Sequence, residues 1–153
     1  MRNRSGFSLI EMVIVMVIIG VIVGISVPGL STWYRGRAVH AARDRFASAH
    51  GLARSTAIRY GRLSELHLDA SANKYWIEVD TTGGRDTIGG IWQDPPVTFT
   101  STRSLLCFDQ RGLPSIRTTT ASQTCGSPDV KVIFTVQGAS DTVETTVLGK
   151  VLR

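Results

Sequence analysis

The chain opens with an apolar run from Phe7 to Val27 that contains one charged residue, Glu11. At about 1.5 Å per helical residue the run spans roughly 31 Å, the thickness of a bilayer hydrocarbon core. A carboxylate in such a helix costs roughly 2.5–3.5 kcal/mol on insertion scales, so these residues usually have a partner and a purpose. The run therefore predicts a membrane-spanning helix in which Glu11 has a specific role.

The charges before the run predict its orientation. Arg2 and Arg4 precede it with no acidic residue nearby. Since positive flanks stay on the cytoplasmic side, the N-terminus is expected in the cytoplasm and everything after Val27 on the outer side. Trp33 and Tyr34 fall where interfacial aromatic residues are expected.

Three interpretations of this segment compete. A secretory signal would have a shorter apolar core followed by small residues, whereas here the small residue, Gly6, precedes the core. A plain signal anchor explains the hydropathy but gives no reason for Gly6-Phe7 or for Glu11. The third interpretation explains both features and comes from a resemblance.

Basic residues, then Gly6, then Phe7-Ser8-Leu9-Ile10-Glu11, resemble the class III signal of type IV pilins and type II secretion pseudopilins. The resemblance implies that a prepilin peptidase cuts after Gly6 and that Phe7 becomes the N-methylated first residue. It also implies that Glu11 neutralises the N-terminal amine of a neighbouring subunit. Removing one member of such a buried charge pair costs about 3–5 kcal/mol, which makes Glu11 an assembly residue.

The same resemblance implies the surroundings of the protein. Its partners would be other pilins or pseudopilins in a helical filament, the prepilin peptidase, an inner-membrane assembly platform and the lipid bilayer. The chain would cross the bacterial inner membrane once, with its globular domain periplasmic or extracytoplasmic, and would then enter the filament.

The predicted domains are a cytoplasmic leader (1–6), a transmembrane and filament-core helix (7–27), an extracytoplasmic amphipathic helix (28–62) and a β-rich globular domain (63–153). A kink or local unwinding is expected at Pro28-Gly29, and Gly61 is the expected helix stop. Residues 31–62 contain seven arginines and one acidic residue, so the basic charge of the chain is concentrated in this helix. Its apolar face is formed by Val39, Ala42, Phe46, Ala49, Ala53, Ala57 and Tyr60, with Arg37, Arg45, Arg59 and Arg62 opposite.

Beyond Gly61 the pattern changes to period two, which is typical of strands. We expect a hairpin from strands around 63–68 and 74–79, a mobile loop over 81–90, a break at Pro95-Pro96, and strands at 97–100, 105–108, 130–136 and 142–148. The predicted fold class is α+β, in which a long N-terminal transmembrane helix packs its outer half on an antiparallel sheet. This is also the pilin layout.

Two later segments carry a second resemblance. Phe108-Asp109-Gln110-Arg111-Gly112 resembles the strand-to-turn element of H-type pseudopilins and of the FimT-like minor pilins. The ending from Thr145 to Arg153 is similar to their terminal strand and its Gly-Arg-type tail. The resemblance implies membership of this H-type (GspH/FimT) group.

Cys107 and Cys125 would both lie outside the cytoplasmic membrane, where an even cysteine count favours a disulfide. The alternative is two unpaired thiols. Metal ligation is disfavoured because the chain has no Cys-x-x-Cys and no histidine near either cysteine in sequence.

We expect no enzyme activity, no cofactor and no metal site. His40, His50 and His67 lack the spacing that places two imidazoles on one helix face and are expected at the surface. Asp80, Asp86 and Asp94 miss the spacing of a calcium loop. The glycine pairs at 83–84 and 89–90 lack the ending of a phosphate loop.

Two functions remain. The first is a minor pseudopilin or minor pilin, a structural subunit of a type II secretion pseudopilus or type IV pilus. The alternative is a FimT-like minor pilin that binds extracellular DNA for natural transformation through Lys150 and Arg153, joined in the fold by Lys131 or Arg117. Its tail reads Gly-Lys-Val-Leu-Arg where the DNA-binding members carry Gly-Arg-x-Arg, so one inserted residue sends the second charge to the other strand face.

Overall fold

The structure is a computed structural model that describes residues 8–81, 83–116, 125, 129–146 and 150–152, with the backbone alone at 26–30. The chain divides into two compact units, an N-terminal unit (Met1–Arg35) and a C-terminal unit (Gly36–Arg153). The elements are α1 (Leu9–Tyr60), β1 (Ser64–Asp69), β2 (Lys74–Thr81), β3 (Gly84–Trp92), β4 (Thr98–Ser101), β5 (Leu105–Phe108), β6 (Val130–Val136), β7 (Ala139–Thr145) and β8 (Val151–Leu152).

The described part of the N-terminal unit is helical from Leu9 onward, and its large apolar side chains between Leu9 and Ile25 are exposed. The helix continues through Pro28 and Gly29 without local unwinding. In the described part of the chain, no helix combines the length and the hydropathy required of a membrane span.

The C-terminal unit contains two antiparallel four-stranded sheets where the sequence predicted one. Sheet 1 has the order β3-β2-β1-β5 and sheet 2 the order β4-β6-β7-β8. The predicted β1–β2 hairpin is present, with Leu66 opposite Ile77. However, β5 returns to pair with β1 while β4 pairs with β6. Period-two alternation identifies strands but not their partners, so this division was not visible in the sequence.

The C-terminal unit is organised around the buried face of α1. The predicted apolar face is buried except at its end, where Tyr60 is 44% exposed. The helix ends at Tyr60, before Gly61 with its positive φ of 63°. Phe46 lies at the centre of the face, with its ring centroid 5.8 Å from that of Tyr75 in sheet 1 and 5.9 Å from that of Phe134 in sheet 2. One helix face therefore holds both sheets.

The predicted mobile loop over 81–90 is wrong, because β3 occupies most of it and pairs with β2. The pairing shifts register at Trp76/Ile77, where Gly89 and Gly90 both have positive φ and form the extra residues of a bulge. A Cβ at Gly89 would lie 2.8 Å from the Trp92 ring. The glycine pair therefore bends an edge strand and does not mark a loop.

The last hairpin also begins earlier than predicted. Gln137 and Gly138 have positive φ, at 42° and 90°, and form the turn between β6 and β7. This turn places the start of β7 at Ala139, whereas the alternation predicted Thr142. Residues 147 and 148, at the end of the predicted strand, lie outside the described residues.

A disulfide joins Cys107 of β5 to Cys125, with the two Cα atoms 5.7 Å apart. This is the bridge that the sequence favoured. Both cysteines are buried, and together with Leu105 and partly buried Leu63 they form a small apolar cluster apart from the main core. Cys107 lies directly opposite Glu65 in the β1–β5 register, so the bridge sits next to a buried carboxylate.

We expect Cys125→Ser to lower the free energy of unfolding by about 3 kcal/mol, the loss of loop-closure entropy for a bridge between residues 18 apart in sequence. Urea unfolding of the full chain in detergent, followed by tryptophan fluorescence, measures the loss. Wild type under reducing conditions should behave like the variant. An unchanged midpoint in both samples would contradict the stabilising role.

Candidate functional site

The first candidate site is the start of α1, where the structure describes Ser8 and Glu11 but not Gly6 and Phe7, which lie outside the described residues. The Glu11 amide donates to the Ser8 carbonyl at 3.1 Å and to the Ser8 Oγ at 3.3 Å. Ser8 is therefore the N-cap of the helix. Glu11 is exposed in the first turn, three residues after the cap.

The spacing of Ser8 and Glu11 is that of a capping box, a signal that the sequence analysis did not use. A carboxylate in the first turn also interacts favourably with the positive end of the helix dipole. Glu11 thus has a local role in helix initiation as well as the predicted role in assembly. Any test of the assembly role has to separate the two.

The second candidate site is the C-terminal segment, where the structure describes Lys150 but not Arg153 or Arg117. Lys150 is exposed just before β8, and its amide is 3.2 Å from the Thr146 hydroxyl. Lys131, the other candidate cation, lies 3.0 Å from Glu144, so its charge is locally compensated. DNA binding through Lys150 and Arg153 stays a prediction that these contacts do not strengthen.

Comparison with known proteins bears on the first site. Residues 1–27 match the prokaryotic N-terminal methylation motif. No curated protein sequence matches the chain significantly.

Two solved structures share the fold. The minor pseudopilin EpsH from the type 2 secretion system of Vibrio cholerae matches with a TM-score of 0.57 at 10% identity, over 74% of this chain and 94% of that chain. The type IV minor pilin FimU of Pseudomonas aeruginosa matches with a TM-score of 0.55 at 14% identity, over 74% and 86%. The chain has a pilin-like fold.

The pilin-like fold confirms the predicted fold class, an N-terminal helix packed on antiparallel β-structure.

Charged contacts fasten the helix of the pilin-like domain to its sheets. His40 Nδ1 and Arg43 Nη1 lie 2.7 Å and 2.9 Å from Asp141 Oδ2 on β7. Burial alone would raise the pKa of Asp141, but the hydrogen bond with His40, the Thr142 amide and the Arg43 charge outweigh it and lower that pKa. These contacts join α1 to sheet 2.

A second charged contact joins α1 to the connection after β3. Arg45, predicted on the solvated face, pairs with Asp94, whose side chain is only 11% exposed. The Tyr75 hydroxyl is 3.2 Å from the same carboxylate. Burial, followed by the nearby Asp94 charge, raises the pKa of Tyr75.

The prediction that His50 lies at the surface is wrong, because His50 is 3% exposed. Its ring stands edge-on to Phe108, with centroids 5.0 Å apart. Burial, followed by the charge of Arg54, lowers the pKa of His50 to about 4. The spacing signal was present, since His50 follows Phe46 by four residues and precedes Ala53 by three, on the same helix face.

The prediction that His67 lies at the surface is also wrong. Its side chain is only 12% exposed and its ring stacks on Trp76 with centroids 4.9 Å apart. His67 points to the side of sheet 1 away from α1, as do its neighbours Glu65 and Glu78. The three side chains come together only because β1 and β2 pair in this register.

We expect acid to destabilise the domain through His50. The unfolded imidazole takes up a proton near pH 6.5 while the folded one stays neutral to about pH 4. Stability is therefore full above pH 6.5 and falls between these values, by about 3 kcal/mol in total. His50→Leu should flatten this part of the profile of unfolding free energy against pH. His40→Leu, a change at an exposed histidine, serves as the control, and equal slopes in wild type and His50→Leu would contradict the assignment.

Proposed function

We propose that this pilin-like chain is a minor pseudopilin or minor pilin of the H-type group that is processed by a prepilin peptidase and assembles through its N-terminal helix. The observation that carries the proposal is the joint occurrence of two features in one chain. The methylation motif covers residues 1–27, and 74% of the chain matches the fold of a minor pseudopilin and of a minor pilin.

The proposal covers both filament types. The two structural likenesses differ by only 0.02 in TM-score, from 0.57 to 0.55, and both are below 15% identity. A likeness of this kind supports the architecture without favouring secretion or pilus function. Deleting the gene and assaying secretion, twitching and DNA uptake in parallel distinguishes the type II secretion role, the pilus role and the DNA-uptake alternative.

The proposed domain roles follow the predicted boundaries. Residues 1–6 act as the leader, 7–27 as the membrane and filament-core helix, 28–62 as the extracytoplasmic helix and 63–153 as the globular domain. The exposed apolar side chains between Leu9 and Ile25 support the second role, because they offer a surface for lipid before assembly and for neighbouring helices afterwards. The packing of Val39 through Ala57 on the sheets supports the third role.

Processing is expected between Gly6 and Phe7, because that bond leaves the small residue on the leader and keeps the Phe-x-x-x-Glu start of the helix intact. Intact-mass measurement and N-terminal sequencing of membrane-extracted protein should give a chain that begins with methylated Phe7. Gly6→Leu should leave the precursor uncut. A mature chain that begins at Met1, or downstream of Val27, would exclude the proposed function.

Glu11→Val and Glu11→Gln should both reduce incorporation into filaments while membrane insertion is kept. An unpaired amine left in the assembled bundle costs about 3–5 kcal/mol, which corresponds to a loss of roughly 100-fold or more in assembly. Quantifying the protein in sheared filament and membrane fractions measures the two steps separately.

Two matched variants separate charge pairing from helix capping. Gln at position 11 can still complete a capping box, so Glu11→Gln removes the charge while the cap is kept. Ser8→Ala removes the cap, at a cost of about 1 kcal/mol, while the charge is kept. Assembly that fails in Ser8→Ala but survives in Glu11→Gln would show that Glu11 acts through the helix start alone.

A further inference from the structure

Two carboxylates face each other on the outer side of sheet 1. Glu65 of β1 is directly opposite Glu78 of β2 in the strand register. Directly opposed side chains have Cβ atoms about 4.5–5.5 Å apart, and like charges in this arrangement are destabilising. The repulsion is strong here because the Glu65 side chain is only 6% exposed and is poorly screened by solvent. The pair therefore requires positive charge nearby.

Arg85 of β3 supplies one positive charge. Its Nη2 donates to Glu65 Oε1 at 2.7 Å and its Nη1 donates to Glu78 Oε2 at 3.1 Å. With His67 neutral, the four side chains carry two negative charges and one positive charge. One unit of negative charge remains uncompensated in a largely buried cluster, which is costly.

Two atoms of the cluster lack hydrogen bonds. Glu65 Oε2 and His67 Nε2 are both buried and have no hydrogen-bond partner. They lie 3.2 Å apart, within hydrogen-bonding distance, but they are not aligned for a hydrogen bond. Buried polar atoms normally have partners, so two adjacent unpartnered atoms indicate a missing ligand.

The spacing of these atoms fits a small cation. His67 Nε2 is 3.2 Å from Glu65 Oε2 and 3.4 Å from Glu78 Oε2. Ligand atoms about 2.0–2.2 Å from a tetrahedral ion stand roughly 3.3–3.6 Å from one another. Single ligand atoms from all three residues can be chosen within 4.8 Å of one another.

We propose that Glu65, His67 and Glu78 form a binding site for a divalent transition-metal ion of the Zn²⁺ class. An imidazole with two carboxylates suits Zn²⁺ better than Mg²⁺ or Ca²⁺, which favour oxygen ligands alone. Three protein ligands leave a fourth position for water or for a group from another molecule. The ion supplies positive charge beside the two carboxylates, and it ties β1 to β2.

Neighbouring side chains orient the ligands. Arg85 bridges the two carboxylates, and the Trp76 Nε1 donates to Glu78 Oε1 at 2.8 Å. The Trp76 ring also stacks against the His67 ring, with an interplanar angle of 4°. Hydrogen bonds to the ligands are typical of metal sites in proteins. A groove of about 740 Å³ that includes His67 and Trp76 in its lining brings solvent to this part of the sheet.

The test uses the full chain in detergent, stripped with a chelator and without reductant, so that Cys107 and Cys125 stay bonded and offer no thiolates. Titration with Co²⁺ should produce the strong visible absorption of a tetrahedral site at one ion per chain. Calorimetric titration with Zn²⁺ gives the affinity. Saturating Zn²⁺ should raise the unfolding midpoint, because the ligands are assembled only in the folded state.

Glu65→Gln, His67→Gln and Glu78→Gln should each weaken Zn²⁺ binding by at least about 10-fold, since even an outer partner of a metal ligand contributes 10–100-fold. Glu78 is the safest variant because its side chain is 23% exposed, so a folding failure in Glu65→Gln does not decide the outcome. Glu144→Gln, another strand glutamate in an ion pair, and His40→Gln, an exposed histidine, are the matched controls and should bind like wild type.

Binding by wild type that is no tighter than binding by Glu78→Gln and His67→Gln would overturn the proposal. So would a Co²⁺ spectrum that stays that of the hydrated ion. Either result would leave the cluster as an ion-pair network of Glu65, Glu78 and Arg85 beside His67.

Discussion

The C-terminal unit depends on one contact surface, the face of α1 that packs between two sheets. Phe46 touches Tyr75 in sheet 1 and Phe134 in sheet 2, so a single side chain belongs to both interfaces. The alanines around it, at 42, 49, 53 and 57, are buried and short, which lets the strands approach the helix closely. Tyr75 of sheet 1 also packs directly on Phe99 of sheet 2, with ring centroids 6.0 Å apart. The Asn73 side chain, in the turn before β2, accepts a hydrogen bond from the Phe99 amide. The helix face and these direct contacts together join the two sheets into one core.

Burial of this helix face also explains why some polar groups lie inside the unit. His50 shares the face and must stay neutral, while Asp141 and Asp94 accept bonds from residues of α1 at the edge of the core. On the far side of sheet 1, the Cys107–Cys125 bridge lies beside Glu65 and contributes to its burial. The buried Glu65 carboxylate requires a cationic neighbour. The proposed metal site arises from that requirement.

The N-terminal unit follows a different logic. Its large apolar side chains between Leu9 and Ile25 are exposed, and the proposed function assigns their burial to lipid or to other subunits. Glu11 combines a local role at the helix start with a proposed role between subunits. In the C-terminal unit, apolar side chains are buried and charged side chains are paired by residues of the same chain. The globular part is thus stabilised by packing within the chain. For the filament part, we propose packing between chains.

Residue types and their spacing were enough to predict the features that depend on neighbours along the chain. The Gly6-to-Glu11 motif, the apolar face from Val39 to Ala57, the stop at Gly61 and most strands are local patterns of spacing and residue type. The three-dimensional fold was needed to show which strands pair and that 84–92 is an edge strand. It was also needed to show that the side chains of Glu65, His67, Glu78 and Arg85 meet. Those outcomes depend on strand register, and register is set by long-range pairing. Two carboxylates thirteen residues apart in sequence become direct neighbours only when β1 and β2 align in one of several possible registers.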